Sequence, residues 1–387
     1  MTLLPGNVRL MDHQVRTVAA CKGSYVAGSR APLIVMPTGA GKTITGCAIV
    51  DGAVSKGRRV LWLAHRSELV EQASGSMDKV RVPHGVIQAG RKASPLFPLQ
   101  IASVQTLVAR PGDMPPADVI VSDEAHHDTA ATRREIRLAY PRCELYVGLT
   151  ATPERGDKSP LGDVFDAMIA ETSVAELMSI GQLVPCTIIA PPKAQKGLAH
   201  SVEHSLRKYG KRRDGRKRPA VVFCGTIEEA RATTIDLKRA GFRVECVDGK
   251  IDALVRRAHL DAFNAGTLDV LVNVMCLTEG WDAPQAELMI LARGCSAACT
   301  WLQMIGRVLR ACPRTGKVDC IVDDLRGVVH VHGLPEEDRK YSLTGRGISR
   351  EPQDKRASIA QCLVCGAEAL SDRGALDLRL ARDAATR

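Results

Sequence analysis

The chain has 387 residues, enough for two domains that each bury a core. Its 45% hydrophobic and 25% charged content excludes wholesale disorder, and no run of about 18 apolar residues offers a membrane-spanning helix. The net charge of +10 is concentrated: Arg207 to Arg218 hold eight Lys/Arg against one Asp, which excludes a uniformly basic surface and leaves either a loop touching nucleic acid or a solvated linker.

From the N-terminus, MTLLPGNVRL lacks the basic-then-apolar order of a secretory signal, so a soluble cytoplasmic protein is expected. Short apolar runs then recur: PLIVM, RVLWLA, LQIAS, ADVIVSD and LYVGLT. Runs apolar on both faces predict buried strands of a parallel sheet. Stretches with helical spacing, Lys42 to Asp51 and Ser67 to Ser74, lie between them. Strand alternating with helix predicts a doubly wound α/β domain over residues 1–190. Residues 191–218 break the rhythm with Pro, Gly and charge, and are expected to be a basic linker with room for a short helix. The alternation resumes in AVVFCG, a helix from Ile227 to Ala240, RVECVDG, a helix in DALVRRAHLDAFNAG, DVLVNVM, ELMILAR and KVDCIVDD. These predict a second α/β domain over 219–345, leaving 346–387 as a polar tail. The expected fold class is therefore α/β, two tandem doubly wound parallel-sheet domains with a short C-terminal tail. Of 13 cysteines most sit singly in apolar runs and read as small buried hydrophobes; only Cys362 and Cys365 have the spacing of metal ligands.

Two segments carry the chemistry. MPTGAGKT, Met36 to Thr43, follows a predicted strand and opens a predicted helix. The strict phosphate-loop pattern wants Gly where Met36 stands, yet the physics survives. Glycines let backbone N–H groups curl around phosphates, and the helix N-terminus adds positive potential. Thr38, Gly39, Ala40, Gly41, Lys42 and Thr43 are thus candidate nucleotide-binding residues, with Lys42 on the β/γ-phosphates and Thr43 on magnesium. About 80 residues later, SDEAHH ends another strand. Asp123 there can hold Mg²⁺, and Glu124 can orient or deprotonate an attacking water. A zinc hydrolase would need three or four ligands converging on one side, and no His-Glu-x-x-His helix is present.

PTGAGKT, DEAH, GLTATP, TEGWDAP and QMIGRVLR occur in the order and spacing of superfamily 2 DEAD/DEAH-box helicases, a resemblance covering residues 9–312. LAHRSELVEQA, the doubled His of DEAHH, GLTATPERGD, VNVMCLTEGWD and DCIVDDLRGVVHVHGLPEEDRKYSL resemble the RadD-type, phage-repair-like and type III restriction helicase-like branch. The resemblance implies two RecA-like domains and an ATP-dependent DNA helicase or translocase using ATP and Mg²⁺ at the interdomain cleft, in repair, recombination or replication. An RNA helicase, or an ATP-switched clamp that separates no strands, remains open. By the same resemblance Gln14 reads adenine; Met11 stands where the family often has Arg, and Arg9 is the nearby substitute. His126, Thr150, Thr152 and Gln303 couple hydrolysis to movement. His65, Arg66, Ser103, Gln105, Thr106 and Thr278 grip a nucleic-acid backbone, while Gly280 and Asp282 line the ATP cleft. Arg307 and Arg310, three apart and so expected on one helical face, resemble arginine fingers. Cys362 and Cys365 form half of a zinc knuckle, with no Cys or His after Cys365. A degenerate remnant is the expectation, with His330, His332, Cys312 and Cys320 as the candidates to complete a Zn²⁺ site.

Overall fold

The structure, a computed structural model, describes residues 3–94, 96–128, 130–154, 159–191, 197–277, 281–337, 339–344, 349–350, 359–361 and 367–370. It divides into two compact units, Met1–Ser173 with Arg339–Ser349, and Val174–Asp338 with Arg350–Arg387.

Unit 1 is built on a seven-stranded sheet: β1 (Pro32–Val35), β2 (Val60–Ala64), β3 (His84–Ile87), β4 (Leu99–Ser103), β5 (Val119–Asp123), β6 (Leu145–Thr150) and β7 (Ala167–Ile169). The order across the sheet is β3-β4-β2-β5-β6-β1-β7, with every pair parallel. Each of the five expected apolar runs is a strand, and β1, β2, β4 and β5 are buried at every residue. That burial follows from the cover of helices α1 (Asp12–Val26), α2 (Lys42–Val54), α3 (Ser67–Lys79), α4 (Val104–Ala109) and α5 (Ala130–Ala139). Gly46 on α2 lets this helix lie close on the sheet, since a Cβ there would run into the Trp62 ring and Leu149.

Unit 2 carries α6 (Val174–Ser179), β8 (Cys186–Ile189), α7 (Val202–Tyr209), β9 (Ala220–Phe223), α8 (Ile227–Arg239), β10 (Val244–Val247), α9 (Ala253–Asn264), β11 (Val270–Asn273), β12 (Leu288–Leu291), α10 (Ala298–Val308) and β13 (Cys320–Asp324). Two further strands, β14 (Ile359–Gln361) and β15 (Ala367–Leu370), extend the sheet to the order β10-β11-β9-β12-β13-β8-β15-β14. All neighbours are parallel except the last two junctions, where β15 runs antiparallel to both β8 and β14. Both units are thus doubly wound α/β folds on parallel sheets.

The chain partitions differently from the expected boundaries. The first unit ends at Ser173, not at residue 190, because β8 pairs with β13 at the interior of the second sheet. The segment expected as a linker is part of unit 2 from α7 onward. Ser201 caps α7 by accepting from the His204 amide at 3.1 Å, and Val202 and Leu206 are buried in the unit 2 core. The basic run folds back on itself, Arg212 N donating to Arg216 O at 2.7 Å and Lys211 bridging Lys217. Arg212 and Arg218 both reach the buried carboxylate of Glu287, Arg218 also meets Asp319 at 2.6 Å, and Lys217 meets Asp269 at 2.7 Å. Residues 339–344, expected in the second domain, return to unit 1: Gly162 N donates to Leu343 O at 2.7 Å, and Tyr341 and Leu343 pack against its core. Stretches 359–361 and 367–370 of the expected polar tail are β14 and β15.

Candidate nucleotide-binding site

In unit 1 the glycine-rich loop follows β1, and the acidic pair ends β5, with β6 lying between those two strands. Parallel strands bring their C-terminal ends to one edge of the sheet, which is where open α/β folds bind ligands. The Met36 amide donates to Thr150 O at 2.9 Å, tying the base of the loop to the end of β6.

Gly39 and Gly41 have φ of 93° and 81°, a region that glycine enters without strain. Gly41 is the N-cap of α2, so the helix opens at Lys42 and directs its first amides at the loop. Ala40 is fully buried, and its carbonyl takes His13 Nε2 at 2.9 Å and Gln14 Nε2 at 3.2 Å. Gln14 Oε1 accepts from the Met11 amide at 3.0 Å, so this glutamine braces the loop from α1. His13, which sequence reasoning passed over, shares that job. Arg9 and Met11 are exposed. Thr38 and Thr43 are half-buried beside the loop.

Lys42 Nζ meets Glu124 Oε1 at 2.6 Å, both side chains being nearly buried at 12% and 10% exposure. Glu124 has φ 50°, a left-handed conformation rare for a residue with a side chain. Its amide donates to Asp123 Oδ1 at 3.0 Å. Thr150 Oγ1 joins His126 Nδ1 at 3.1 Å and donates to Thr152 O at 2.8 Å; His126 Nδ1 is also 3.5 Å from Glu124 Oε2. Lys42, Glu124, His126 and Thr150 are therefore one connected set. Burial pushes the Cys47 thiol on α2 up to about 12, and the neighbouring Asp123 charge adds to the effect.

These residues fit a nucleotide phosphate and a divalent cation. A Cβ at Gly41 would collide with the Gln14 amide, so the cradle is reserved for glycine. The Asp123 carboxylate and Thr43 hydroxyl are hard oxygen donors suited to Mg²⁺.

Five of the six residues expected at the nucleic-acid grip, His65, Arg66, Ser103, Gln105 and Thr106, fall in unit 1. His65 Nε2 meets Asp128 Oδ1 at 3.1 Å, Gln105 Nε2 donates to the His65 carbonyl at 2.7 Å, and Ser103 Oγ donates to Gln105 Oε1 at 2.9 Å. Arg66 is exposed and Thr106 half-buried.

In unit 2, Arg307 and Gln303 are buried on α10, and Arg307 Nη1 donates to Trp281 O at 2.7 Å. The expected single helical face is not formed. The helix ends at Val308, and Arg310 lies beyond the Leu309 C-cap in a bridge with Leu183. Both arginines still converge on one segment, since Arg310 pairs with the Asp282 carboxylate. Lys317, also missed from sequence, fastens that region: its buried ammonium donates to Pro284 O at 3.0 Å, Ala286 O at 2.5 Å and Val308 O at 2.6 Å. Burial lowers its pKa. Thr278, Gly280, Cys362 and Cys365 lie outside the described residues. Of the candidates to complete a zinc site, His330 Nε2 bonds Pro191 O at 2.7 Å and His332 Nε2 bonds Cys295 O at 2.9 Å, while Cys312 and Cys320 are buried in unit 2.

Two family descriptions match the chain: "Type III restriction enzyme, res subunit" over residues 7–155 and "Helicase conserved C-terminal domain" over residues 202–312. The chain thus has the two domains of an ATP-hydrolysing helicase enzyme, consistent with a superfamily 2 helicase of the restriction-enzyme-like branch. Similar chains include the "51.5 kDa protein" of Lactococcus phage (isolate 7-9), 29% identical over 87% of this chain and 74% of that protein. The type I restriction enzyme EcoKI endonuclease subunit of Escherichia coli K12 is 26% identical over 83% of this chain and 36% of that subunit. This chain therefore spans about a third of the restriction subunit's length. Among solved structures, S. cerevisiae Dbp5 bound to RNA and ADP BeF3 matches with a TM-score of 0.57 at 16% identity, over 84% of this chain and 90% of that one. The fold of both units is RecA-like.

Proposed function

We propose that the protein is an ATP-dependent DNA helicase or translocase in which ATP hydrolysis drives movement on a nucleic-acid strand. The observation that carries this reading is the 2.6 Å pair of Lys42 and Glu124 at the mouth of the glycine loop, beside Asp123. Lys42 is held in place by Glu124 and exchanges it for the β/γ-phosphates when ATP arrives. Glu124, released, orients and deprotonates the attacking water. Thr43 and Asp123 would hold Mg²⁺, which would supply charge neutralisation at the phosphates. His126 and Thr150, bonded to each other at 3.1 Å, pass the state of Glu124 to the strand ends. His65, Arg66, Ser103, Gln105 and Thr106 contact the nucleic-acid backbone, which positions a strand without reading its sequence. Arg307 and Arg310 stabilise transition-state charge, a role typically worth about 10³ to 10⁵ in rate. DNA is favoured by the restriction-enzyme names of the matching family and relative.

ATPase rates measured with single-stranded, duplex and forked DNA and with RNA of equal length test the reading. Lys42→Ala should abolish turnover, Glu124→Gln should trap bound ATP, and Arg307→Ala should lower kcat much more than it raises KM. Full DNA-stimulated turnover in Lys42→Ala would overturn the proposal. Stimulation by RNA alone would move the substrate to RNA, and ATPase activity without strand displacement or translocation would leave an ATP-switched clamp.

A further inference from the structure

Asp128 follows the doubled histidine directly, and no motif accounts for it. Its side chain is 1% exposed. One carboxylate oxygen takes Ser122 Oγ at 3.0 Å and His65 Nε2 at 3.1 Å, and the other takes the Tyr146 hydroxyl at 2.8 Å. An ionised carboxylate only accepts, so this arrangement puts the His65 proton on Nε2. Ser122 and Tyr146 belong to β5 and β6, the strands that carry the acids and Thr150. The anion therefore pins His65, at the end of β2, to the rigid part of the sheet.

A second connection runs above it. The His127 ring lies 4.1 Å from that of His126 and 5.5 Å from that of His65, centroid to centroid. His126 touches Glu124 and Thr150; the His65 carbonyl holds Gln105, which holds Ser103. A single row of packed groups thus links the Lys42–Glu124 pair to the loop expected to grip the strand. Hydrogen-bonded and packed chains of this kind transmit a two-state change when both ends bias it.

We infer that Asp128 and His127 are positioning residues that couple the hydrolysis site to the nucleic-acid grip, Asp128 by fixing His65 and His127 by bridging His126 to it. The inference rests on the function proposed above. Loss of either link uncouples the two sites while each site keeps its own residues.

The test compares ATPase rates with and without saturating single-stranded DNA in the full chain, for wild type, Asp128→Asn, His127→Ala and Tyr146→Phe. The readout is the ratio of stimulated to basal rate. Asp128→Asn and His127→Ala should each lower that ratio at least about fivefold, the low end of ordinary coupling between sites. Tyr146→Phe removes another donor to the same carboxylate without touching His65. It should lower the melting temperature and keep the ratio within twofold of wild type. Stimulation at the wild-type ratio in both Asp128→Asn and His127→Ala overturns the inference. So does a parallel fall of basal and stimulated rates, which marks a purely structural role, or a loss of the ratio in Tyr146→Phe equal to that in Asp128→Asn. A wild-type protein with no stimulation by any nucleic acid defeats the helicase reading itself, and is distinguished by appearing before any substitution is made.

Discussion

Replacing Glu287 with Gln keeps the side-chain volume and removes one buried charge. The carboxylate is 2% exposed and faces Arg212, 10% exposed, and Arg218, 8% exposed. Arg212 Nε donates to it at 2.6 Å and Nη2 also reaches it; Arg218 Nη1 stands 3.5 Å away. Breaking a buried pair by removing one partner costs about 3 to 5 kcal/mol, because the remaining charge is uncompensated. Two features place Glu287→Gln near the lower end. Arg212 retains the Gly316 and Thr315 carbonyls, at 3.1 and 3.4 Å, and Arg218 retains Asp319 at 2.6 Å. About 3 kcal/mol lowers the melting temperature of a unit this size by about 6 to 12 °C. Arg216→Ala is the internal comparison: its pair with Asp214 is exposed at 61% and 47%, and such pairs contribute about 0 to 1 kcal/mol. Urea unfolding of the full chain, followed by tryptophan fluorescence to which Trp281 and Trp301 of unit 2 contribute, measures both. Equal small losses for the two variants would show that the basic segment is a surface loop and refute the reasoning. In the same preparations, neutralising Arg212 should change stability more than the salt slope of DNA binding.

Gly41→Ala should weaken ATP binding at least about tenfold, about 1.4 kcal/mol, since the new Cβ meets the Gln14 amide at a left-handed φ of 81°. Isothermal titration with a non-hydrolysable analogue checks this, and wild-type affinity would contradict it. Burial raises the pKa of Asp269, but hydrogen bonds from Arg243 and Lys217 outweigh burial and hold it below its ordinary value. Its folded pKa is thus below the unfolded one, so the stability it contributes is present above the usual carboxylate range and is lost as pH falls through the folded value. Asp269→Asn should flatten the stability curve below about pH 4; an unaltered acid limb would sink the assignment. With its pKa near 12, the Cys47 thiol should resist alkylation at pH 8 in the native state and react at the ordinary rate once unfolded. Rapid native labelling of Cys47, read by mass spectrometry, would count against the buried α2 face.

Local pattern carried the strands and the glycine-rich turn of the candidate site. PLIV, VLWLA, LQIAS, VIVSD and LYVGLT are apolar on both faces, and only a helix-covered parallel sheet buries both, so their placement followed from composition alone. Gly39, Gly41 and Lys42 sit on contiguous backbone, so their spacing already described a turn that could cradle phosphate. What sequence could not decide were choices made by distant partners. The basic run reads as a linker because its charges are visible while their counter-charge, Glu287, lies about 70 residues away. Residues 339–344 look like the end of the second domain, yet Tyr341 and Leu343 are needed by the unit 1 core. Arg307 and Arg310 fit one helical face on paper, but the helix stops at Val308, where Lys317 takes the final carbonyl. Asp128 has no motif at all, and only the sheet brings Ser122, Tyr146 and His65 onto one buried carboxylate. Periodicity reports which residues must be buried; which buried charge meets which is a property of the folded chain.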